Sequence, residues 1–243
     1  MKYLTKKWAK KYLQVKFIFN LKEIDTNAFT CESLNQDYKQ QFFDELKKDQ
    51  EMFDTIFSLG ISEKYYSAKI KRNQELIDGL ELDINNKLKN AQSLIYGYAI
   101  KEDKALLFDY AYKVLKEIET LTEKARVDTE SVINFLPEEF DVEEFIEDIL
   151  LGTRVVDNSF YLDFDGASIC VENIKILQDD GLCVNKWDFE NPLSAWTHVQ
   201  AIELCYNEEK RFELHLLLCN GNTYEDVTFW CLTIQGTNVK VIK

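Results

Sequence analysis

Near Gly152 the apolar residues of this chain change their spacing, from steps of three and four to steps of two. That change constrains the fold more than any motif does. An amphipathic helix repeats about every 3.6 residues, whereas a half-buried strand repeats every two. Before Gly152, Trp8, Tyr12, Val15 and Phe19 share one helix face. A second stripe runs through Leu34, Tyr38, Phe42, Leu46, Phe53 and Phe57 and stops near Gly60. The spacing predicts a longer helix from Ser62-Glu63, striped by Ile70, Ile77, Leu80, Ile84, Leu88, Ala91, Ile95 and Tyr98 and weakened by Gly79 and Gly97. Leu107, Tyr110, Val114, Ile118, Leu121 and Ala125 stripe the next. The pair, over about 63–98 and 103–126, predicts an antiparallel helical hairpin that breaks near Lys101–Asp103. Pro137 opens a last helix, where its missing amide costs nothing, with Val142, Phe145 or Ile146, and Ile149 on the buried side.

After Gly152 the runs Val155-Val156, Phe160–Phe164, Ser168–Val171 and Ile174–Leu177 are short and bounded by turn residues. Trp196–Tyr206, Arg211–Cys219, Asp226–Ile234 and Val239–Ile242 complete seven or eight strands. Asp165-Gly166, Asp180-Gly181 and Asn220-Gly221 are hairpin dipeptides, because such turns need positive φ. Phe212, Leu214, Leu216 and Leu218 share one strand face, and Glu213 and His215 the other. This alternation predicts an antiparallel sheet with one wet face. The expected fold class is α+β. An N-terminal helical domain (1–152) with a long helical hairpin precedes a C-terminal antiparallel β-sheet or meander domain (153–243).

Composition narrows the function classes. With 46% apolar and 13% aromatic residues over 243 positions, the chain is built to bury a core rather than to stay disordered. Its 29 Lys+Arg against 43 Asp+Glu, a net charge of −14, argue against nucleic acid as a partner. No apolar run is long enough for a membrane span, and Lys16 and Asn20 interrupt the Val15–Leu21 stretch that a signal peptide would need. Six cysteines without a CxxC pair read as buried reduced thiols, so the expected compartment is the cytoplasm. Residues 1–22 hold seven lysines and no acid, and residues 128–148 nine acids and no base. Two solvated helix faces would explain this, as would a basic helix docked on an acidic one.

Chemistry-bearing motifs are sparse. The chain has no GxGxxG, GxxxxGK[ST], GxSxG or HExxH. Of the two histidines, His215 lies two residues from Glu213, a carboxylate that could orient it for acid–base work. The plainer reading is a polar pair on an exposed strand face. His198 follows Trp196 on one face, and Trp196 stands among Ala195, Thr197 and Gln200, which do not look like deep core. Trp196, His198, Glu213 and His215 are therefore the candidate binding residues. No catalytic residue, metal ligand or cofactor is assigned: two histidines and unpaired cysteines argue against a structural zinc site, because tetrahedral sites need close ligand pairs. Cys219 is four residues from His215, which does not bring two strand residues into contact. Asp163-Phe164-Asp165-Gly166 with Glu172 imitates a calcium loop, but Tyr161 stands where its first carboxylate belongs, and a plain Asp-Gly hairpin fits better.

The opening Met1-Lys2-Tyr3-Leu4-Thr5-Lys6-Lys7-Trp8 resembles the start of an uncharacterised family of Gram-positive bacterial proteins, domain-of-unknown-function family 4085. Phe212-Glu213-Leu214-His215-Leu216-Leu217-Leu218 resembles a late segment of that family. The resemblance implies a helical first part, a strand-rich end and a cytoplasmic bacterial setting, and it brings no activity, ligand or catalytic residue. The reading favoured by the residues is a non-enzymatic protein-interaction module, regulatory or immunity-like, that binds a basic protein surface. A different class is a small-molecule hydrolase with its site at the helical/β junction. Neither reading involves a membrane.

Overall fold

The computed structural model describes residues 2–25, 29–48, 50–133, 145–146, 150–179, 197–207, 211–220 and 229–242. Helices precede Gly152 and antiparallel sheets follow it, so the chain is α+β. No helix among the described residues is long and apolar enough to cross a membrane. Packing groups the chain differently from this change of secondary structure. One compact unit comprises Met1–Ala9, Ile118–Asn222 and Val227–Lys243, and the other is built on Lys10–Glu117.

The Lys10–Glu117 unit takes in most of α1 (Lys6–Phe19), then β1 (Lys22–Ile24), α2 (Cys31–Leu46), α3 (Gln50–Ser58) and α4 (Ser62–Asp78). Thr30 and Ser33 close a capping box at the start of α2, each side chain taking the other's backbone N–H. Phe42 and Leu46 of α2, Ile56 of α3 and Tyr65 and Tyr66 of α4 then bury one another. The expected hairpin arm over 63–98 is not continuous. Helix α4 ends at Asp78, where the Gly79 and Leu80 amides turn back to Glu75 and Ile77. Two single turns follow, α5 (Leu82–Asn85) and α6 (Ala91–Leu94), and Gly97 at φ +75° leads into β2 (Tyr98–Ile100), parallel to β1. Leu80, Ile84 and Tyr98 are buried as their spacing suggested, but on interrupted chain, whereas Ala91 is exposed and Leu94, outside the expected stripe, is fully buried. Asp103, at the start of α7 (Lys101–Ile133), fixes that chain by accepting the Lys89 and Asn90 amides at 2.9 and 2.8 Å.

In the other unit, eight described strands form two four-stranded sheets. They are β3 (Gly152–Val156), β4 (Ser159–Asp163), β5 (Ser168–Glu172), β6 (Lys175–Asp179), β7 (Thr197–Tyr206), β8 (Phe212–Asn220), β9 (Phe229–Gly236) and β10 (Asn238–Ile242). The sheet orders are β10-β5-β4-β3 and β6-β9-β8-β7, and every pairing in them is antiparallel. Gly166 turns at φ +80°, as its Asp-Gly dipeptide predicts, and Asp157-Asn158 makes a second positive-φ turn, between β3 and β4. The pairs Asn238–Glu172 and Lys175–Gln235 flank one corner, so the β5–β6 and β9–β10 segments bend together from one sheet into the other. Gly236 sits in that corner, where a Cβ would lie 2.6 Å from Val171 Cγ1 and 2.9 Å from both the Glu172 carbonyl and Phe212 Cζ.

Phe160, Leu162, Ile169, Val171, Leu214, Leu216, Leu232 and Ile234 form the core shared by the two sheets, with Val132 of α7. Phe145 joins it against Phe164, at 4.9 Å between ring centres, while Ile146 is exposed; the Pro137 helix itself lies outside the described residues. The expected wet face of β8 is corrected. His215, Leu217 and Cys219 are buried, as are Ala201 and Glu203 of β7 and Cys231 and Thr233 of β9 around them. Of the lysine-rich opening, Lys2 pairs with Asp128, the first acid of the 128–148 run, and Lys11 with Glu117 outside that run, each at 2.6 Å. Residues 134–144 and 147–148 of the run lie outside the described residues.

Candidate functional site

The site follows from strand register. Directly opposed residues of an antiparallel pair project from the same face. Strand β7 sets Cys205 opposite Glu213 and Glu203 opposite His215, and β9 adds Thr233 beside His215 and Gln235 beside Glu213. A polar patch therefore stands on the face away from the shared core. His215 Nε2 lies 3.2 Å from Glu213 Oε2 and 3.4 Å from Cys205 Sγ, and Nδ1 lies 3.1 Å from Thr233 Oγ1. A carboxylate only accepts, so the partners assign Nε2–H as the donor to Glu213 and Nδ1 as the acceptor from the Thr233 hydroxyl.

Glu203 solves a separate problem, a carboxylate only 3% exposed. It accepts the backbone amides of Lys2 at 2.8 Å, Tyr3 at 2.9 Å and Leu4. These bonds fasten the lead-in to α1 against β7 and help to cover the His215 face. On the edge of β7, the Leu204 amide donates to Thr129 Oγ1 of α7 at 3.1 Å.

Burial holds the His215 imidazole down at about 4, with the Lys2 ammonium adding to the effect, despite the Glu213 carboxylate beside it. Burial, and then Glu213, push the Cys205 thiol up to about 11. At neutral pH the pair is a thiol and a neutral imidazole. A nucleophilic cysteine needs the reverse, a thiolate stabilised by an imidazolium. The sulfur, nitrogen and carboxylate donors of Cys205, His215 and Glu213 all lie within 4.8 Å of one another, a group that could hold a metal ion.

Of the residues singled out in the sequence, Glu213 and His215 come together. His198 takes the β7 position opposite Cys219, beyond an irregularity between Val199 and Ala201 and four residues along β8 from His215. Trp196 lies outside the described residues. Asp163 and Glu172 stand at opposite ends of the β4–β5 pairing, Asp163 on Arg154 and Ser168 and Glu172 on Lys240. That separation leaves no calcium loop between them. Cys205, Glu203 and Thr233 were missed. For two of them a signal existed: counting back across the Asn207–Arg211 turn sets Tyr206 opposite Phe212, hence Cys205 opposite Glu213 and Glu203 opposite His215. No family model, no curated protein and no solved structure matches this chain, so its functional reading rests on these residues.

Proposed function

We propose that the chain is a non-enzymatic protein-interaction module whose partner presents a basic, extended segment. The observation that carries this reading is strand β3. It ends its sheet, pairs among the described residues with β4 alone, and exposes Val155 and Val156 by 47% and 43%. An open edge offers unpaired amides and carbonyls to an incoming strand, and apolar side chains beside it add affinity. Exposed Asp157 lies in the turn that joins β3 to β4, Arg154 on β3 is paired with Asp163, and the chain as a whole carries −14. Asp157 and that net charge favour a basic partner and would speed its encounter. The hydrolase reading has less support, because a general base works best with its pKa near the working pH and buried His215 titrates at about 4.

The test is a photo-crosslinker placed at Val156 of the full chain, in lysate of the host cell, at low and high salt. The expected result is a basic protein crosslinked at low salt, with a yield that drops at high salt and in a Val155→Lys variant. A yield that ignores both salt and Val155→Lys, or no crosslinked protein at either salt, overturns the proposal.

A further inference from the structure

We propose that Cys205, Glu213 and His215 bind one zinc-class divalent cation, each residue giving one ligand. The spacing of the donor atoms argues first. A tetrahedral zinc ion, with Zn–S near 2.3 Å and Zn–N and Zn–O near 2.0–2.1 Å, sets its ligand atoms about 3.6 Å (S to N) and about 3.3 Å (N to O) apart. The measured separations are 3.4 Å from Cys205 Sγ to His215 Nε2 and 3.2 Å from that nitrogen to Glu213 Oε2. Two edges of a zinc tetrahedron are therefore already nearly set, and the third, from the sulfur to the carboxylate, lies within 4.8 Å.

The supporting group argues second. An imidazole ligand is usually oriented through its other nitrogen, and His215 Nδ1 is held at 3.1 Å by Thr233 Oγ1. With Nε2 on the ion, Nδ1 carries the proton and donates it to that hydroxyl, which is able to donate or accept. Thr233 thus suits both tautomers. The scaffold adds rigidity, because Cys205 and Glu213 are opposed across a strand pair and His215 is two residues along.

Ligand chemistry and charge choose the ion. One sulfur, one imidazole nitrogen and one carboxylate are a poor set for calcium or magnesium and a good one for zinc. The Cys205 thiol gives its proton to solvent as the ion binds, and thiolate and carboxylate together then neutralise the ion, so the loaded site carries no net charge on this largely covered face. The Glu213 side chain keeps 19% of its exposure and Cys205 is only partly buried, which leaves an approach for the ion and a position for a water as fourth ligand.

The experiment titrates the full-length, chelator-treated chain with Zn(II) in a calorimeter and with Co(II) in a spectrophotometer. One equivalent of each is expected, cobalt showing a thiolate charge-transfer band and the intense visible bands of tetrahedral geometry. Cys205→Ser abolishes the charge-transfer band and weakens zinc at least tenfold, and Thr233→Val weakens zinc by about 10–100-fold while keeping the band. Cys31→Ser, remote in sequence and in the other compact unit, changes neither. Circular dichroism of each metal-free variant separates lost ligation from lost folding, and Glu213→Gln replaces any variant that fails to fold. No uptake of zinc, a thiolate-free octahedral cobalt spectrum, or a band that survives Cys205→Ser overturns the proposal.

Discussion

The imidazole of His215 sits inside a strand face, 6% exposed, and is asked to stay neutral there. Its folded value of about 4 lies below the ordinary 6.5, so between these values the unfolded chain takes up the proton more readily. Its contribution to stability is complete above pH 6.5 and is lost as pH falls toward 4. The loss reaches about 3 kcal/mol at most. Urea unfolding of the metal-free chain from pH 7 to pH 4 should therefore fall more steeply than that of His215→Gln. Parallel curves would show that this imidazole is not held neutral by burial. At this scale the pairing of His215 with Glu213 was legible in plain alternation along β8. Their burial was not, because alternation reports which residues share a face and is silent on what covers it. Thr233 illustrates the same gap: it joins the site across β9, a strand whose register follows from no short turn.

Elements were legible in proportion to their length. Helix α7, with 33 residues, covers the 103–126 stretch where its spacing places a helix and runs on to Ile133. The arm before it does not, since periodicity reports burial and not hydrogen bonding. Asn85, Asn86 and Asn90 favour local bonds over helix, and Asn90 caps the next turn through the Ser93 amide. The three-residue strands β1 and β2 are too short to carry a pattern at all. The corner at Gly236 is an element-scale device with its own prediction. Gly236→Ala drives a methyl into Val171 and the Glu172 carbonyl, and backbone cannot swing aside as a side-chain tip would. A loss of about 1–3 kcal/mol is expected by thermal or urea unfolding. A neutral result would mean that the corner relaxes freely.

For the whole molecule, the deciding contact joins Glu203 to the amides of Lys2, Tyr3 and Leu4. Removing that carboxylate leaves three backbone donors facing a largely buried strand, each such loss costing on the order of 1–3 kcal/mol where water cannot enter. Glu203→Ala should therefore destabilise the unit by about 2–4 kcal/mol. It should also raise hydrogen exchange along β7 and at residues 2–9 together. Unchanged exchange in the opening residues would show them held by something else. A contact between positions 201 apart has no signature in local pattern, which is why the helix-to-strand boundary at Gly152 was legible and the grouping of Met1–Ala9 with the sheets was not.

That grouping sets a timetable for the chain at the ribosome. Leu4, Trp8 and Ala9, all buried in the finished unit, leave the exit tunnel well before the strand that fastens their neighbours, which is made some 200 residues later. At about 5–20 residues per second the wait is roughly 10–40 seconds. During it, a lysine-rich amphipathic segment stands in the open, available to chaperones, to membranes and to any acidic surface that meets it before Glu203 does.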